Sequence, residues 1–253
     1  MAQTIEMTGK AALITGAASG LGRATAVKLA DAGADVCIVD VDAAGLAQTA
    51  AQLAAKGVAV LDHVADLGDP DACTGAVAAA VMRFGRLDAL CNVAGIIHLT
   101  HSHAMPRAHW DQTMAINLSA PFFLSQAAIP HLLESEGAIV NVASSAAFVG
   151  EAYAAAYCAT KAGLVQMTKA MAMEYVRRPI RINAVAPGGM MTNIAANMSR
   201  PENAEIDLIK RYSGLRGLVE VDDVADLIAL LASPAGRSYH GTCVTIDAGI
   251  TAG

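Results

Sequence analysis

Short apolar runs alternate with longer alanine-rich segments along most of the chain. The apolar runs are five to seven residues long and rich in β-branched side chains, as buried strands are. In the first six runs the hydrophobicity is continuous, which is typical of parallel strands covered on both faces. The predicted strands are 11–15, 35–40, 58–63, 87–93, 138–143, 180–186 and 242–246. The predicted helices are 21–32, 43–56, 70–84, 106–133, 155–177 and 221–231.

This alternation of strand and helix predicts the fold class. Repeated strand, helix, strand units need right-handed crossovers, so the simplest arrangement is α/β: a single doubly wound Rossmann-type parallel sheet with helices on both faces. No linker, charge block or low-complexity segment interrupts residues 1–253, which predicts one domain. Residues 187–217 depart from the pattern, because they are rich in Gly, Met and Asn around a short predicted helix at 202–211. Their length indicates a lid or a binding loop.

Composition and charge narrow the classes of partner. Of the 253 residues, 55% are hydrophobic and 16% are charged, which is enough apolar surface for a large core and excludes a disordered chain. The formal net charge of −6 argues against a broad electrostatic contact with nucleic acid or an acidic membrane. The pattern contains neither a membrane-spanning segment nor a secretory signal. We therefore expect a cytoplasmic protein whose partners are small molecules.

The cysteines give no sign of a disulfide framework or a metal site. They are scattered, odd in number and without a Cys-x-x-Cys pair. Several lie inside apolar runs, so we expect reduced thiols that pack in the core. They are Cys37, Cys73, Cys91, Cys158 and Cys243.

A glycine-rich turn follows the first predicted strand directly and leads into the first predicted helix. It reads Thr15-Gly16-Ala17-Ala18-Ser19-Gly20-Leu21-Gly22. Glycines allow a tight turn and let backbone N–H groups approach a pyrophosphate, whose charge the helix N-terminus stabilises. The spacing Gly-x-x-x-Gly-x-Gly differs from the Gly-x-Gly-x-x-Gly dinucleotide fingerprint, and a turn needed only for helix packing is the alternative.

Asp40 closes the second predicted strand, 18 positions after Gly22. An acidic side chain at this place accepts hydrogen bonds from the adenosine ribose and repels a 2′-phosphate. Neither Ser19 nor Val41 supplies the positive charge that a 2′-phosphate needs. Taken alone, Asp40 would be an ordinary acid at a strand end or helix cap. Together with the glycine turn it predicts NAD as the cofactor.

Tyr157 and Lys161 are four positions apart on a predicted helix and therefore share one face. A free tyrosine is a poor base at neutral pH, and a neighbouring ammonium group lowers the pKa of its hydroxyl. The pair therefore offers a phenolate as a base. The alternative is a tyrosine that packs its ring while the lysine extends outwards.

Six motifs follow one another along nearly the whole chain. They are the turn at 15–22, Asn92-Val93-Ala94-Gly95, Asn117, Ser144, Tyr157-x-x-x-Lys161 and Pro187-Gly188. In this order and at these separations they resemble the classical short-chain dehydrogenase/reductase family. The resemblance implies an oxidoreductase that transfers a hydride between a secondary alcohol or ketone and a nicotinamide cofactor. It also implies a homo-oligomer, and we expect a homotetramer, because the long helices 106–133 and 155–177 are too apolar to be solvated on their outer faces.

The resemblance implies catalytic roles for four residues. Tyr157 would be the general acid/base, and Ser144 would hydrogen-bond the substrate oxygen. Lys161 would lower the pKa of Tyr157 and hold the nicotinamide ribose. Asn117 would bend its helix and hold a water in the proton relay.

The resemblance also implies a set of residues around the cofactor. Residues 92, 94 and 95 would line the adenosine side, Asp66 would meet the adenine ring and Thr192 the carboxamide. The full set is Gly16, Ser19, Gly20, Leu21, Gly22, Asp40, Asp66, Leu67, Asn92, Ala94, Gly95, Tyr157, Lys161, Pro187, Gly188 and Thr192.

The side chains of the lid region indicate the kind of substrate. Methionines are adaptable apolar contacts, so the lid predicts a substrate that is apolar around its carbinol carbon. Phe148 and Tyr153 lie between Ser144 and Tyr157 and are expected to add aromatic walls. The lid side chains expected to close over the substrate are Met190, Met191, Ile194 and Met198. Packing of these side chains against the body of the protein is the alternative.

Two rival classes of function need to be weighed. His98, His101 and His103 follow the fourth predicted strand, where ligands bind in such sheets, and clustered histidines can ligate zinc in a hydrolase. No Asp, Glu or Cys nearby completes a ligand set, so we expect a solvated loop and no metal. A non-catalytic nucleotide sensor is the second rival, and it would have no reason to keep Ser144, Tyr157 and Lys161 together.

Within the enzyme class, a 3-oxoacyl carrier-protein reductase is the alternative. Asp40 disfavours the NADPH that such a reductase uses. Glu134 and Glu136 are acidic at the place where contacts with a carrier protein call for basic residues, which argues against this alternative. Arg177 and Arg178 are basic and favour it. We prefer a dehydrogenase that oxidises a secondary alcohol.

Overall fold

The computed structural model describes residues 5–192 and 199–252. Within them a seven-stranded parallel sheet has the strand order β3-β2-β1-β4-β5-β6-β7, which confirms the predicted doubly wound α/β fold. The strands are β1 (Ala11–Thr15), β2 (Asp35–Asp40), β3 (Val60–Val64), β4 (Ala89–Asn92), β5 (Ala138–Val142), β6 (Arg181–Pro187) and β7 (Cys243–Ile246).

Helices cover both faces of this sheet. They are α1 (Gly20–Asp31), α2 (Ala43–Ala54), α3 (Pro70–Phe84), α4 (Arg107–Met114), α5 (Ala120–Glu134), α6 (Ala155–Glu174), α7 (Ile206–Ile209) and α8 (Val221–Ala232). One face packs against α1, α2 and α8, and the other against α3, α5 and α6. None of the helices that the structure describes has the length and apolar character needed to cross a bilayer.

Successive residues of the central strands enter two separate cores. In β1, Leu13 packs into the core with α3 and α5, whereas the next residue, Ile14, packs into the core with α1 and α8. Both side chains are fully buried, which explains why the apolar runs are continuous. Strand β3 is different because it is an edge strand, and its Asp62 and Val64 are exposed. The prediction that this strand is covered on both faces is therefore wrong, and it begins two residues later than predicted.

The predicted helix 106–133 is interrupted. Helices α4 and α5 are joined by a π-helical turn at Ala115–Ser119, in which the N–H of Ala120 donates to the carbonyl of Ala115. This wider turn contains Asn117, whose side chain is fully buried and tied to Ile96. The bend predicted at Asn117 falls on this π turn, which accommodates one extra residue in the helical path.

The strand order creates a crevice at one edge of the sheet. Strands β2 and β3 lie on one side of β1, and the rest of the sheet continues from its other side through β4. Ligands bind at such a change of direction, outside the carboxyl ends of the strands. Thr15, the last residue of β1, connects this strand to the end of β4 there. Its Oγ1 accepts hydrogen bonds from the N–H groups of Val93 and Ala94, both at 3.0 Å.

Candidate active site

A cleft of about 810 Å³ lies over the carboxyl ends of β1, β2, β4, β5 and β6. It brings together the glycine turn, the strand-end acid and the Tyr157/Lys161 pair, although these motifs are far apart in sequence. The lining residues are Gly16, Ser19, Gly20, Leu21, Gly22, Asp40, Val93, Ala94, Gly95, Val142, Ala143, Ser144, Tyr157, Lys161, Pro187, Gly188, Met190 and Thr192.

The glycine turn has no room for side chains at two of its positions. A Cβ on Gly16, which has a φ of +69°, would lie 2.9 Å from the Cα of Ala94. A Cβ on Gly22 would lie only 2.1 Å from the carbonyl oxygen of Gly16. Ser19 precedes α1 without a side-chain cap, and the first turn of that helix has no acidic residue. The N-terminal N–H groups of α1 are therefore suited to an anion such as a pyrophosphate.

Asp40 faces the cleft from the end of β2. Its carboxylate accepts hydrogen bonds from the N–H of Ala18 at 3.0 Å and from the N–H of Asp42 at 3.1 Å. Of the described residues that line this cleft and its extension, only Lys161 is a cation. Arg23 is the nearest arginine in sequence, but its guanidinium donates to the carbonyls of Ala18 and Gly45 and to Thr49 Oγ1.

The cleft extends towards β3 into a smaller cavity of about 480 Å³. The two cavities share residues 16, 40, 94 and 95. The smaller one adds Asp66 and Leu67, both in the predicted cofactor set, together with Val41, Ala65, Ile96 and Ile116. Asp66 is held in place because its Oδ1 accepts a hydrogen bond from the N–H of Gly68 at 2.9 Å.

Asn92 is the exception among the predicted cofactor residues. It lines neither cavity. Its side chain is 2% exposed, and its Nδ2 donates to Asn141 Oδ1 at 2.8 Å. Asn141 in turn donates to Thr168 Oγ1 at 2.9 Å, so Asn92 ties β4 to β5 and α6. The interpretation of Asn92 as a residue on the adenosine side is corrected: its position is structural.

Ser144, Tyr157 and Lys161 meet at the other end of the cleft. Ser144, which lies just after β5, and Tyr157 both line the cleft and the cavity next to it. The Nζ of Lys161 lies 5.6 Å from the centre of the Tyr157 ring. It donates a hydrogen bond of 2.8 Å to the carbonyl of Val142, and the lysine is only 3% exposed.

The ionisation of the pair differs from the expectation. Removal from water raises the pKa of Tyr157 to about 12, although the hydrogen bond from Ser144 opposes this. Burial also lowers the pKa of Lys161 to about 8. Desolvation disfavours the charged form of both groups. The pKa of Tyr157 is therefore raised here and not lowered as expected, because burial outweighs the other influences on its hydroxyl.

Asn117 lies behind this pair. Its Oδ1 accepts from the N–H of Ile96 and its Nδ2 donates to the Ile96 carbonyl, both at 2.8 Å. Its Nδ2 also reaches Thr160 Oγ1 at 3.3 Å. A Cβ on Gly95 would lie 3.4 Å from Asn117 Oδ1 and 3.5 Å from Lys161 Nζ, so both groups stand beside that glycine. Through these bonds the side chain of Asn117 fixes the backbone next to the cleft.

A separate cavity of about 910 Å³ adjoins Ser144 and Tyr157. We call it the substrate cavity, because it is suited to a substrate. We did not predict its most polar residue, Glu151, which lies in the loop between β5 and α6. Only its position between Ser144 and Tyr157 would have indicated a role. The lining residues are Ile97, Ser144, Ser145, Glu151, Tyr157, Gly188, Gly189, Met190, Met191, Thr192, Ile209, Tyr212, Ser213 and Leu218.

The predicted lid and aromatic walls are found only in part. Met190 and Met191 line the substrate cavity, whereas Ile194 and Met198 lie outside the described residues. Phe148 is 48% exposed and does not line it. Tyr153 is also absent from the lining, because its hydroxyl accepts a hydrogen bond from the N–H of Glu205. The prediction that these two rings form walls is wrong.

The histidines of residues 98–103 have other partners. His98 Nε2 lies 3.1 Å from Gln112 Oε1, and its ring stacks on His109 at 4.1 Å. His101 Nε2 lies 2.9 Å from the carbonyl of Glu202. In residues 5–192 and 199–252, no group of three or more His, Cys, Asp or Glu side chains is placed to hold a metal ion.

Comparison with known proteins gives consistent results. A family model described as enoyl-(acyl carrier protein) reductase matches residues 16–251. D-threitol dehydrogenase of Mycolicibacterium smegmatis is 36% identical over 246 residues, which are 97% of this chain and 94% of that protein. Levodione reductase of Leifsonia aquatica is 36% identical over 264 residues, 98% and 97% of the two chains. A short-chain dehydrogenase from Burkholderia cenocepacia, solved in complex with NADP, has a TM-score of 0.88 and 34% identity, covering 97% and 99%.

The cleft, its glycine turn and these relatives define an oxidoreductase that works with a nicotinamide cofactor on alcohols and ketones. More narrowly, the chain belongs to the short-chain dehydrogenase/reductase family, as its motifs indicated. The carrier-protein reductase alternative is not favoured, despite the description of the family model, because the named relatives are dehydrogenases and reductases of small alcohols and ketones. A sensor without activity is also not favoured, since Ser144, Tyr157 and Lys161 line one cleft.

Proposed function

We propose that this enzyme is an NAD-preferring dehydrogenase of secondary alcohols. The observation that carries the proposal is the position of Asp40, whose carboxylate lines the cofactor cleft, where Lys161 is the only cation among the described lining residues. Two unit charges of the same sign 4 Å apart repel by about 4 kcal/mol at an effective dielectric constant of about 20. A 2′-phosphate facing Asp40 would be penalised in this way, whereas the ribose hydroxyls of NAD would donate hydrogen bonds to it.

The residues of the cleft fit a dinucleotide. Gly16 and Gly22 have no side chains at the two crowded positions of the turn. The N-terminus of α1 would stabilise the pyrophosphate. Asp66 would lie beside the adenine ring and Thr192 beside the carboxamide. Lys161, which lines the cleft although it is only 3% exposed, would hold the nicotinamide ribose.

The catalytic roles follow from the chemistry of the three side chains. A bound nicotinamide supplies the acceptor for the hydride, and the protein supplies orientation and proton transfer. Ser144 would hold the substrate oxygen, and Tyr157 would take the hydroxyl proton in oxidation or return it in reduction. Lys161 would stabilise the negative charge that develops on Tyr157, and Asn117 would hold a water in the proton relay.

The cofactor preference is directly testable. We expect kcat/KM with NAD to exceed that with NADP by at least about tenfold on any accepted alcohol, because of repulsion at Asp40. Steady-state kinetics with both cofactors measure this ratio. An Asp40→Arg variant should move the ratio towards NADP. Equal or better use of NADP by the unchanged enzyme would contradict the proposal.

The substrate would be a small alcohol with an apolar body. Ile97, Met190, Met191 and Leu218 give the substrate cavity an apolar wall, and residues 187–217 would act as its lid. We treat residues 1–253 as one domain in which this lid and the cofactor site cooperate. The five cysteines are free, which fits a reducing compartment, so we propose the cytoplasm as the place of work.

We also expect a homotetramer. Large apolar side chains remain exposed on α4, α5 and α6, among them Trp110 at 42%, Phe122 at 40% and Met173 at 72%. Such surfaces are costly in water and are typical of subunit contacts. Light scattering at micromolar concentration should give about four times the chain mass of 25.8 kDa. A monomer or dimer mass would refute the expectation.

A further inference from the structure

Glu151 is a carboxyl group without a partner inside the substrate cavity. No hydrogen bond or ion pair reaches its side chain from the described residues, whereas its backbone carbonyl accepts from the N–H of Ala154. Removal from water raises its pKa to about 7. An acid that is left partly buried and unpaired in a binding cavity costs free energy until a ligand satisfies it.

The surroundings of Glu151 show where it acts. Glu151 lines the same cavity as Tyr157 and Tyr212, and its charge raises the pKa of both hydroxyls. Cys158 is the other titratable group that its charge reaches. Tyr212 has a buried hydroxyl with no hydrogen-bond partner among the described residues. The same corner of the cavity therefore holds one strong acceptor and one unsatisfied hydroxyl next to the reacting centre.

We propose that Glu151 selects a vicinal diol: it accepts a hydrogen bond from a second substrate hydroxyl on the carbon next to the oxidised carbinol. The inference rests on the proposed function, and it adds one polar group to the apolar body inferred above. A hydroxyl suits this corner better than an anion, because a second carboxylate would be repelled by Glu151. It also suits the corner better than an ammonium, because a hydroxyl can donate to Glu151 and accept from Tyr212.

Matched substrates test this directly. With NAD, 2,3-butanediol is compared with 2-butanol and 3-amino-2-butanol, and 1,2-cyclohexanediol with cyclohexanol and 2-aminocyclohexanol. We expect at least one diol to exceed its mono-ol in kcat/KM by about tenfold or more, because a hydrogen bond to a charged group is strong and its loss leaves that group unpaired. The amino alcohols should be poorer than the diols.

Variants separate binding from catalysis. Glu151→Leu should raise KM for the diol about tenfold and leave kcat/KM for the mono-ol within about threefold, since the leucine loses only the contact to the second hydroxyl. Glu151→Gln keeps a hydrogen-bond acceptor, so its KM for the diol should lie between those of the unchanged enzyme and Glu151→Leu. Glu134→Leu makes the same change on the exposed end of α5 and is the control. It should change neither KM nor kcat/KM with either substrate.

The outcomes are distinct. Equal losses of kcat/KM with diol and mono-ol in Glu151→Leu would overturn the assignment. A preference of the unchanged enzyme for the amino alcohol, or the lack of any preference for the diol, would also overturn it. Oxidation of mono-ols as fast as diols would leave the proposed function standing and remove only the diol assignment. If no alcohol is oxidised with either cofactor, the proposed function fails and the diol assignment fails with it. The ranking of substrates by the unchanged enzyme needs no variant to fold.

Discussion

Replacing Tyr157 with phenylalanine is expected to lower kcat by about 10²–10⁴-fold, the usual contribution of a positioned general acid or base. The variant keeps the ring that faces Lys161 and removes only the hydroxyl that Ser144 contacts. NADH binding should change less than about threefold. Stopped-flow or steady-state turnover on an accepted alcohol, together with fluorescence titration of NADH, measures both quantities.

A second tyrosine provides the control. Tyr239 is 40% exposed, and the hydrogen bond that it accepts uses its backbone carbonyl, so Tyr239→Phe should leave turnover and NADH binding unchanged. Retention of more than about a tenth of kcat by Tyr157→Phe, a loss of less than about 1.4 kcal/mol in the barrier, would show that another group transfers the proton.

Gly22→Ala is expected to abolish useful cofactor binding. Its Cβ would come within 2.1 Å of the Gly16 carbonyl oxygen, so the turn must move by about 1 Å, enough to disorganise a site built for close contact. We expect the Kd for NADH to rise at least about 100-fold and the free energy of unfolding to fall by roughly 1–3 kcal/mol. Isothermal titration calorimetry and thermal unfolding measure the two effects.

Gly75→Ala is a matched change in another helix. A Cβ on Gly75, in the exposed part of α3, meets nothing within 4 Å. Its replacement should therefore stabilise the protein by about 0.5–1 kcal/mol, since alanine loses less backbone entropy in a helix. NADH binding by Gly22→Ala equal to that of Gly75→Ala would mean that the turn is free to shift without cost.

The central strands could be predicted because each carries its own signal. Both faces of β1 are buried, so the run around Leu13 and Ile14 is apolar at every position. The edge position of β3 is a property of the whole sheet, which no local pattern records. The π turn at Ala115–Ser119 also escaped precise prediction, because an extra residue in a helical turn leaves the apolar spacing nearly unchanged.

The site could be predicted where function depends on backbone shape or on fixed spacing. Gly16 and Gly22 have steric reasons to be glycine, and Tyr157 and Lys161 are one helical turn apart. Asn92 was misplaced because sequence proximity to Ala94 does not reveal that its side chain points into the sheet contact with Asn141. Glu151 carried no signal of its own, since an acid in a loop is normally solvated and only the folded cavity removes it from water.

The contact of Thr15 with Val93 and Ala94 has a consequence for the growing chain. The floor of the nucleotide cleft joins residues 78 and 79 positions apart, so the emerging polypeptide cannot form these contacts until β4 and the residues directly after it have been synthesised. Contacts of such long sequence separation close late and slow the folding of parallel sheets. Until then the apolar strands are exposed to other chains, and chaperones have most to protect during this interval.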